Sequence, residues 1–398
     1  MNRRVALLLF MTGWGANHFS TLLVVYRKDL GLLPPALGIL FGAYALGLVP
    51  GLVLAGRASD RRGRRAIVLP ASLLAIAASA VLAFGARGFD VLLAGRLLYG
   101  LATGSVMSPG SVWVQELSSP AVGARRATLA LSAGFGLGPL VSGLIAEFAP
   151  APMAWPYVVH AIGMVVAFVV VRPVPETAPG ARGATAAGTP SPSARRGLAR
   201  REWVVLAELL PVAPWAFAFP AVTIAILPGL MRAHVSHPVI YSGLVIATTL
   251  GTGVAVQPLT RRLHHRGDLL GLSVGALGIG LGAYAVAIGS PAWVFAVAIL
   301  VGAGYGLVMT TGLLEISERV AQASRGTAVG IYYVLTYIGF ALPFIHALAA
   351  RRLGDATTLA VAAAAAVASM GIRAFIKLGT LGGFPDPPAT RPPSRRGG

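Results

Sequence analysis

The sequence predicts an all-α membrane protein with twelve transmembrane helices in two pseudo-symmetric six-helix bundles. Three observations predict it: a charge-poor apolar composition, a one-sided distribution of basic residues, and short motifs repeated at a near-constant spacing. Of 398 residues, 56% are hydrophobic and 11% charged, with mean hydropathy +0.76. A spanning helix needs about 20 mostly apolar residues, so twelve would use about 240 and leave room for short loops and one longer linker. Gly, at 50 residues, is commoner in membrane helices than in soluble ones. The apolar runs lie near 5–26, 36–56, 66–86, 91–113, 127–149, 156–172, 203–230, 240–260, 269–289, 292–314, 327–349 and 356–376.

The net charge of +19 raises nucleic acid as a partner, but its distribution gives another reason for it. With the N-terminus placed inside, 25 of the 32 Lys and Arg fall on the cytoplasmic side, six outside, and Arg96 within a span. That asymmetry is the positive-inside rule and predicts a multi-pass plasma-membrane protein with both termini cytoplasmic. Nucleic-acid binding is then unnecessary. The dominance of Arg over Lys points to a GC-rich bacterial genome. The first apolar run follows Arg3 and Arg4 like a signal peptide. It is too long for a typical signal core and lacks a small-x-small site before Arg27, so it reads as a retained helix.

Four segments follow: an N-terminal bundle at 1–172, a flexible cytoplasmic linker at 173–201, a C-terminal bundle at 202–378 and a disordered tail at 379–398. The linker and tail are rich in Pro, Ala, Gly, Ser and Thr and have almost nothing to bury. The halves also match in sequence. GSVMSPG at 104–110 aligns with GLVMTTG at 306–312, an offset of 202. Arg126 and Thr128 align with Arg325 and Thr327 at 199, and Arg61-Arg62 with Arg261-Arg262 at 200. Ordered matches at nearly one offset argue for duplication, and parallel six-helix repeats are a transporter architecture with a central site between them.

The loop after the second run reads Gly56-Arg57-Ala58-Ser59-Asp60-Arg61-Arg62-Gly63-Arg64-Arg65. It resembles the loop signature of the major facilitator superfamily at every fixed position. Gly56 permits close helix approach and Gly63 a tight turn. Asp60 can sit at a helix N-terminus or pair with Arg, a contact remade when the halves rock. The bland alternative is a solvated topogenic loop. In the second half Thr260 stands where Asp60 would be, so that copy is degenerate. Arg96 and Gly100 resemble the family's fourth-span motif, which implies a role in proton coupling; snorkelling to the outer interface is the alternative. Gly134, Gly138, Pro139 and Gly143 resemble the fifth-span motif of proton-exchanging exporters, with Ser142 in place of one Gly. Small residues four apart allow backbone contact, and Pro139 frees a carbonyl. Gly251 and Gly253 offer a matching small face on the eighth span.

His18 can carry a proton or bond to a neighbouring helix. Glu208 is an intramembrane carboxylate, functional by default, or else a partner for Arg200 or Arg201. Glu116 and Glu315 should pair with loop Arg residues as gate elements, beside Arg126. Trp14, Asn17, Trp215, Tyr305 and Tyr332 are placed to line a cavity or simply to pack. No nucleotide-binding Gly-rich loop, catalytic triad or metal-ligand spacing stands out, and Cys is absent, which removes disulfides and thiol chemistry. The reading is therefore a non-enzymatic secondary transporter, without cofactor or metal, monomeric in the lipid bilayer. It moves a small organic molecule by alternating access. Proton-coupled efflux is favoured, with uptake, uniport or a non-transporting sensor as alternatives.

Overall fold

The computed structural model describes residues 1–118, 120–177, 198–321 and 324–381. Among them are eleven helices long and apolar enough to cross a membrane, together with the shorter apolar helix Trp155–Val171. Spans 1 to 6 are Asn2–Asp29, Pro34–Arg62, Arg64–Ala83, Phe89–Glu116, Pro120–Phe148 and Trp155–Val171. Spans 8, 9, 10 and 12 are Pro238–Ala255, Gly267–Ala287, Pro291–Arg319 and Asp355–Leu381. Proline sits in the first turn of spans 2, 6, 8 and 10, where its missing N–H costs nothing.

Spans 7 and 11 depart from the single helices that hydropathy predicts. Span 7 runs as Arg200–Leu209, a turn, Trp215–Ala221, a π-helical stretch Val222–Ile226 and Leu227–Met231. Pro228 has no N–H for the carbonyl of Ile224 and its ring crowds that oxygen, so the helix widens just before it. Span 11 runs as Arg325–Tyr337, a 3₁₀ turn Ile338–Ala341 and Leu342–Leu353. Pro343 does to the carbonyl of Gly339 what Pro228 does to Ile224. Ahead of the apolar stretch of span 7, Glu202 accepts the N–H of Ala199 at 2.8 Å and of Ala321 at 3.2 Å. The Ala199 bond above all holds its carboxyl below the ordinary range, and the pair ties the approach to span 7 to the end of span 10.

Glycine stripes set the crossings. A Cβ on Gly51 would lie 2.5 Å from the carbonyl oxygen of Leu101, and one on Gly104 would lie 2.6 Å from the Leu52 nitrogen. Gly100 meets the Tyr44 backbone in the same way. Spans 8 and 10 repeat the arrangement: Gly302 abuts Thr249 and Gly306 abuts Gly253. Gly51, Gly100 and Gly104 precede Gly253, Gly302 and Gly306 by one shared offset of 202, so the duplication is a packing rule as well as a sequence match. Two apolar cores result. One is built mainly on spans 1 to 6 around Phe19, Tyr99 and Trp113, the other on spans 7 to 12 around Phe219, Val301 and Tyr332.

The linker expectation needs correction at its start. Val174 is buried, Pro175 accepts the Trp113 indole N–H at 3.0 Å, and Glu176 and Thr177 dock on the first bundle. At the far end of the linker Arg200 and Arg201 already belong to a helix, and residues 379–381 of the expected tail continue span 12. Linker residues 178–197 and tail residues 382–398 lie outside the described residues.

Candidate functional site

Span 5 joins span 1 on one side and the second half on the other. Cβ atoms on Gly134 and Gly138 would strike the backbone of Trp14, at 2.8 and 2.7 Å. Pro139 leaves the Phe135 carbonyl without its helical donor, and Asn17 Nδ2 donates to it at 3.5 Å. Thr21 donates to the Pro139 carbonyl at 3.0 Å. Ser142, the departure from the family pattern, accepts the Trp14 indole N–H at 3.0 Å. Gly143 faces Val239, and Gly243 faces Pro139 and Leu140. The small partner on span 8 is thus Gly243. Gly251 has open space beside it and Gly253 packs on Tyr305 of its own half, which corrects the sequence expectation.

The halves meet at the end remote from the basic loops. Glu147 accepts His237 Nδ1 at 3.0 Å and the Val239 N–H at 3.2 Å. Arg27 donates to the Gly229 carbonyl at 3.4 Å. Phe41 and Phe340 lie 4.7 Å apart between ring centroids, and Gly38 abuts Phe344. Nearer the basic loops, Gly251 and Gly330 have open space beside them. Facing the centre, Phe217 stacks on Tyr337 at 4.7 Å and on Tyr305 at 6.0 Å, with Phe340 at 5.1 Å. Of the predicted cavity residues, Tyr305 is half-buried within this cluster, whereas Trp14 is half-buried against Phe10, His160 and Ser142 of the first half. Trp215 instead turns to span 12, donating to Ser369 at 2.9 Å. Tyr332 is fully buried and donates to the Val308 carbonyl at 3.0 Å. It is a core residue, because its one polar atom is satisfied within the bundle.

Arg96 does not snorkel. It is 1% exposed and donates to the carbonyls of Leu40, Ala16 and Phe41 at 3.1, 3.4 and 3.2 Å. It also lies over the rings of Phe19 and Tyr44. Beside it, His160 Nε2 is 2.9 Å from the Met11 carbonyl, which can only accept. Nε2 therefore carries the proton and Nδ1 accepts from Ser79 at 2.9 Å. His18 is fully buried between Tyr157, His160 and Tyr99, and neither of its ring nitrogens has a hydrogen-bond partner among the described residues. A buried unsatisfied imidazole costs about 1–3 kcal/mol, so a reason for its retention is needed.

Two charged clusters sit at the basic end. In the first half, Gly63 takes φ +100° and turns the chain into span 3. Glu176 closes over it, accepting the N–H groups of Arg64 and Arg65 at 2.8 Å each. A Cβ on Gly63 would occupy the space of that carboxylate, so close approach as well as φ requires glycine there. Arg64 pairs with Glu116 at 3.1 Å and donates to Ser59 at 2.9 Å, and Thr177 donates to Glu116. Gly56 lets Ser108 approach to 3.1 Å from a would-be Cβ. Arg61 is exposed and Arg126 half-buried; the Asp60 side chain lies outside the described residues. In the second half, Arg373 bonds Asp268 at 2.8 Å, Glu315 at 2.5 Å and the Glu208 carbonyl at 3.0 Å. Lys377 reaches Asp268 at 2.7 Å and Arg319 reaches Glu208 at 2.5 Å. Glu208 therefore pairs with Arg319, not with Arg200 or Arg201. Arg373 escaped the sequence reading because it counted only as a topogenic basic residue, and Asp268 was not singled out.

Twelve apolar helices among the described residues, in two repeated bundles with polar clusters inside and between them, define a multi-span membrane transporter rather than an enzyme. Residues 5–344 match the Major Facilitator Superfamily, and the chain belongs to that family. It is 29% identical over 153 residues to the quinolone resistance protein NorA of Staphylococcus aureus, a match covering 37% of this chain and 39% of that one. The glucose transporter GlcP of Staphylococcus epidermidis is 29% identical over 106 residues, 27% of this chain and 24% of that one. These matches span well under half the length of the relatives. Among solved structures, a peptide transporter POT in complex with sulfate superposes with TM-score 0.76 at 17% identity. It covers 94% of this chain and 94% of the other. A point mutant of the nucleoside transporter NupG superposes with TM-score 0.76 at 12% identity, covering 94% and 99%. Identities this low speak for the fold alone.

Proposed function

We propose that the protein exports a small apolar or amphipathic organic molecule from a bacterial cell in exchange for protons. The observation that carries this reading is the central path. Phe217, Tyr305, Tyr337 and Phe340 cluster there, while the second-half carboxylates Glu208, Asp268 and Glu315 are engaged with Arg and Lys nearer the basic end. An aromatic path suits an apolar body and disfavours a highly charged one. The partial likeness to a quinolone resistance protein and the fifth-span motif support export over uptake. The basic-loop end is taken as cytoplasmic, so the closed contacts of spans 5 and 8 form the outer gate and the state described is open inward. His18 becomes the favoured proton carrier, because Glu208 is committed to Arg319. Arg96 would set the field that moves that proton on and off.

In proteoliposomes, adding substrate should release protons, and an imposed pH gradient should drive substrate against its own gradient. His18→Ala should abolish the pH-driven flux and spare substrate counterflow, whereas Glu208→Gln should not separate the two. Flux that persists unchanged after the gradient is collapsed would overturn the coupling, and normal pH dependence in His18→Ala would overturn the carrier.

A further inference from the structure

Between the halves, at the end remote from the basic loops, lies a cavity of about 250 Å³. Spans 1 and 2 wall one side, and the broken stretch of span 7, the Leu342–Leu353 helix of span 11 and the start of span 12 wall the other. It is separate from the aromatic path, beyond the Phe41–Phe340 contact. The wall is mostly apolar, with Leu23, Leu37, Ile224 and Pro343 among its residues, but Arg27, Arg351, His346 and Asp355 also reach it. Asp355 is engaged by His346 at 3.1 Å. Arg27 contributes a half-buried guanidinium whose hydrogen bond to the Gly229 carbonyl is long, at 3.4 Å. A guanidinium has five N–H donors in a fork that matches a carboxylate. Two arginines against one aspartate leave the cavity with a surplus positive charge. The π-helical stretch Val222–Ile226 borders it, and such interruptions recur at functional sites.

We propose that this cavity is a second binding site, distinct from the transport path, for a small amphipathic carboxylate. Arg27 of the first half and Arg351 of the second hold the anion while the apolar wall takes its body. Because its walls come from both halves, an occupied site favours the state with this end closed, and the ligand acts as a brake on rocking rather than as cargo. The inference is independent of the export direction and of proton coupling.

The test uses the whole chain in lipid nanodiscs, with benzoate as probe and benzamide as its uncharged isostere, followed by titration calorimetry against empty nanodiscs. Benzoate should bind saturably in the millimolar range or tighter and raise the melting temperature, and benzamide should do neither. Arg27→Gln should weaken benzoate by about tenfold or more, Arg27→Lys less because it keeps the charge but loses the fork, and Lys28→Gln not at all. Should Arg27→Gln fail to fold, Arg351→Gln carries the same prediction. Equal binding of benzoate and benzamide, benzoate affinity unmoved by either arginine substitution, or no saturable binding would overturn the site.

Discussion

The two charged clusters at the basic end occupy equivalent places in the two bundles but are built in opposite ways. In the first half, span 3 brings the arginines and the chain leaving span 6 brings the carboxylate of Glu176. In the second half, span 9 brings the carboxylate of Asp268 and span 12 brings Arg373 and Lys377. Glu116 of span 4 and Glu315 of span 10 join them, but the shared offset of 202 pairs Glu116 with Glu318 and Glu315 with Trp113, so the two carboxylates are not repeat partners. The backbone turn persists: His264 takes φ +47° near the place where Gly63 takes +100°. What differs most is depth. Arg64 and Glu116 are 12% and 32% exposed, whereas Arg373, Asp268 and Glu315 are 1%, 0% and 2% exposed. A wet ion pair is worth little and can be remade cheaply. A buried one cannot lose a member without stranding its partners. The first cluster therefore suits a gate that opens each cycle, and the second suits a rigid hub holding spans 7, 9, 10 and 12.

The largest expected effect breaks the hub. Arg373→Gln leaves Asp268 and Glu315 buried beside too few cations and should cost about 3–5 kcal/mol, read as a lowered melting temperature of the purified protein. Asp268→Asn in that background should recover part of the loss, because it removes one stranded charge. At the first cluster the effect should appear in turnover instead. Asp60→Asn should impair transport severely while membrane insertion and melting temperature stay near those of the parent chain. Glu176→Gln should be milder still. It removes a charge from the start of span 3, a contribution of about 0.3–1 kcal/mol, and should alter the transport rate more than stability. Equal stability losses in Arg373→Gln and Glu176→Gln would dissolve the contrast between hub and gate.

Hydropathy carried the span count and the offsets carried the duplication, because both are written in long, redundant stretches. The small residues of spans 4 and 5 were legible as packing positions, but not their partners: span 8 was expected against span 5 through Gly251 and Gly253, whereas Gly134 and Gly138 pack on span 1. The breaks in spans 7 and 11 were signalled by Pro228 and Pro343, but apolar composition hides a change of helical type. The hub was the least legible feature. Arg373 lies 105 residues from Asp268, and a one-dimensional reading can only count it as a basic residue near a span end. Phe217, Tyr337 and Phe340 were missed for a related reason. Aromatic residues are ordinary in apolar runs, and only the fold shows which ones turn toward the other half. Trp215 and Tyr332 err the opposite way, because large amphipathic side chains also satisfy themselves inside a bundle.

Alternating movement of the halves is the central claim, and the absence of native cysteine allows a direct test. Cysteines replacing Glu147 and His237, whose side chains meet across spans 5 and 8, should cross-link under oxidation and hold that end shut. Transport should then stop, and a reductant should restore it to the level of the unoxidised double variant. Undiminished transport by fully cross-linked protein would contradict the account.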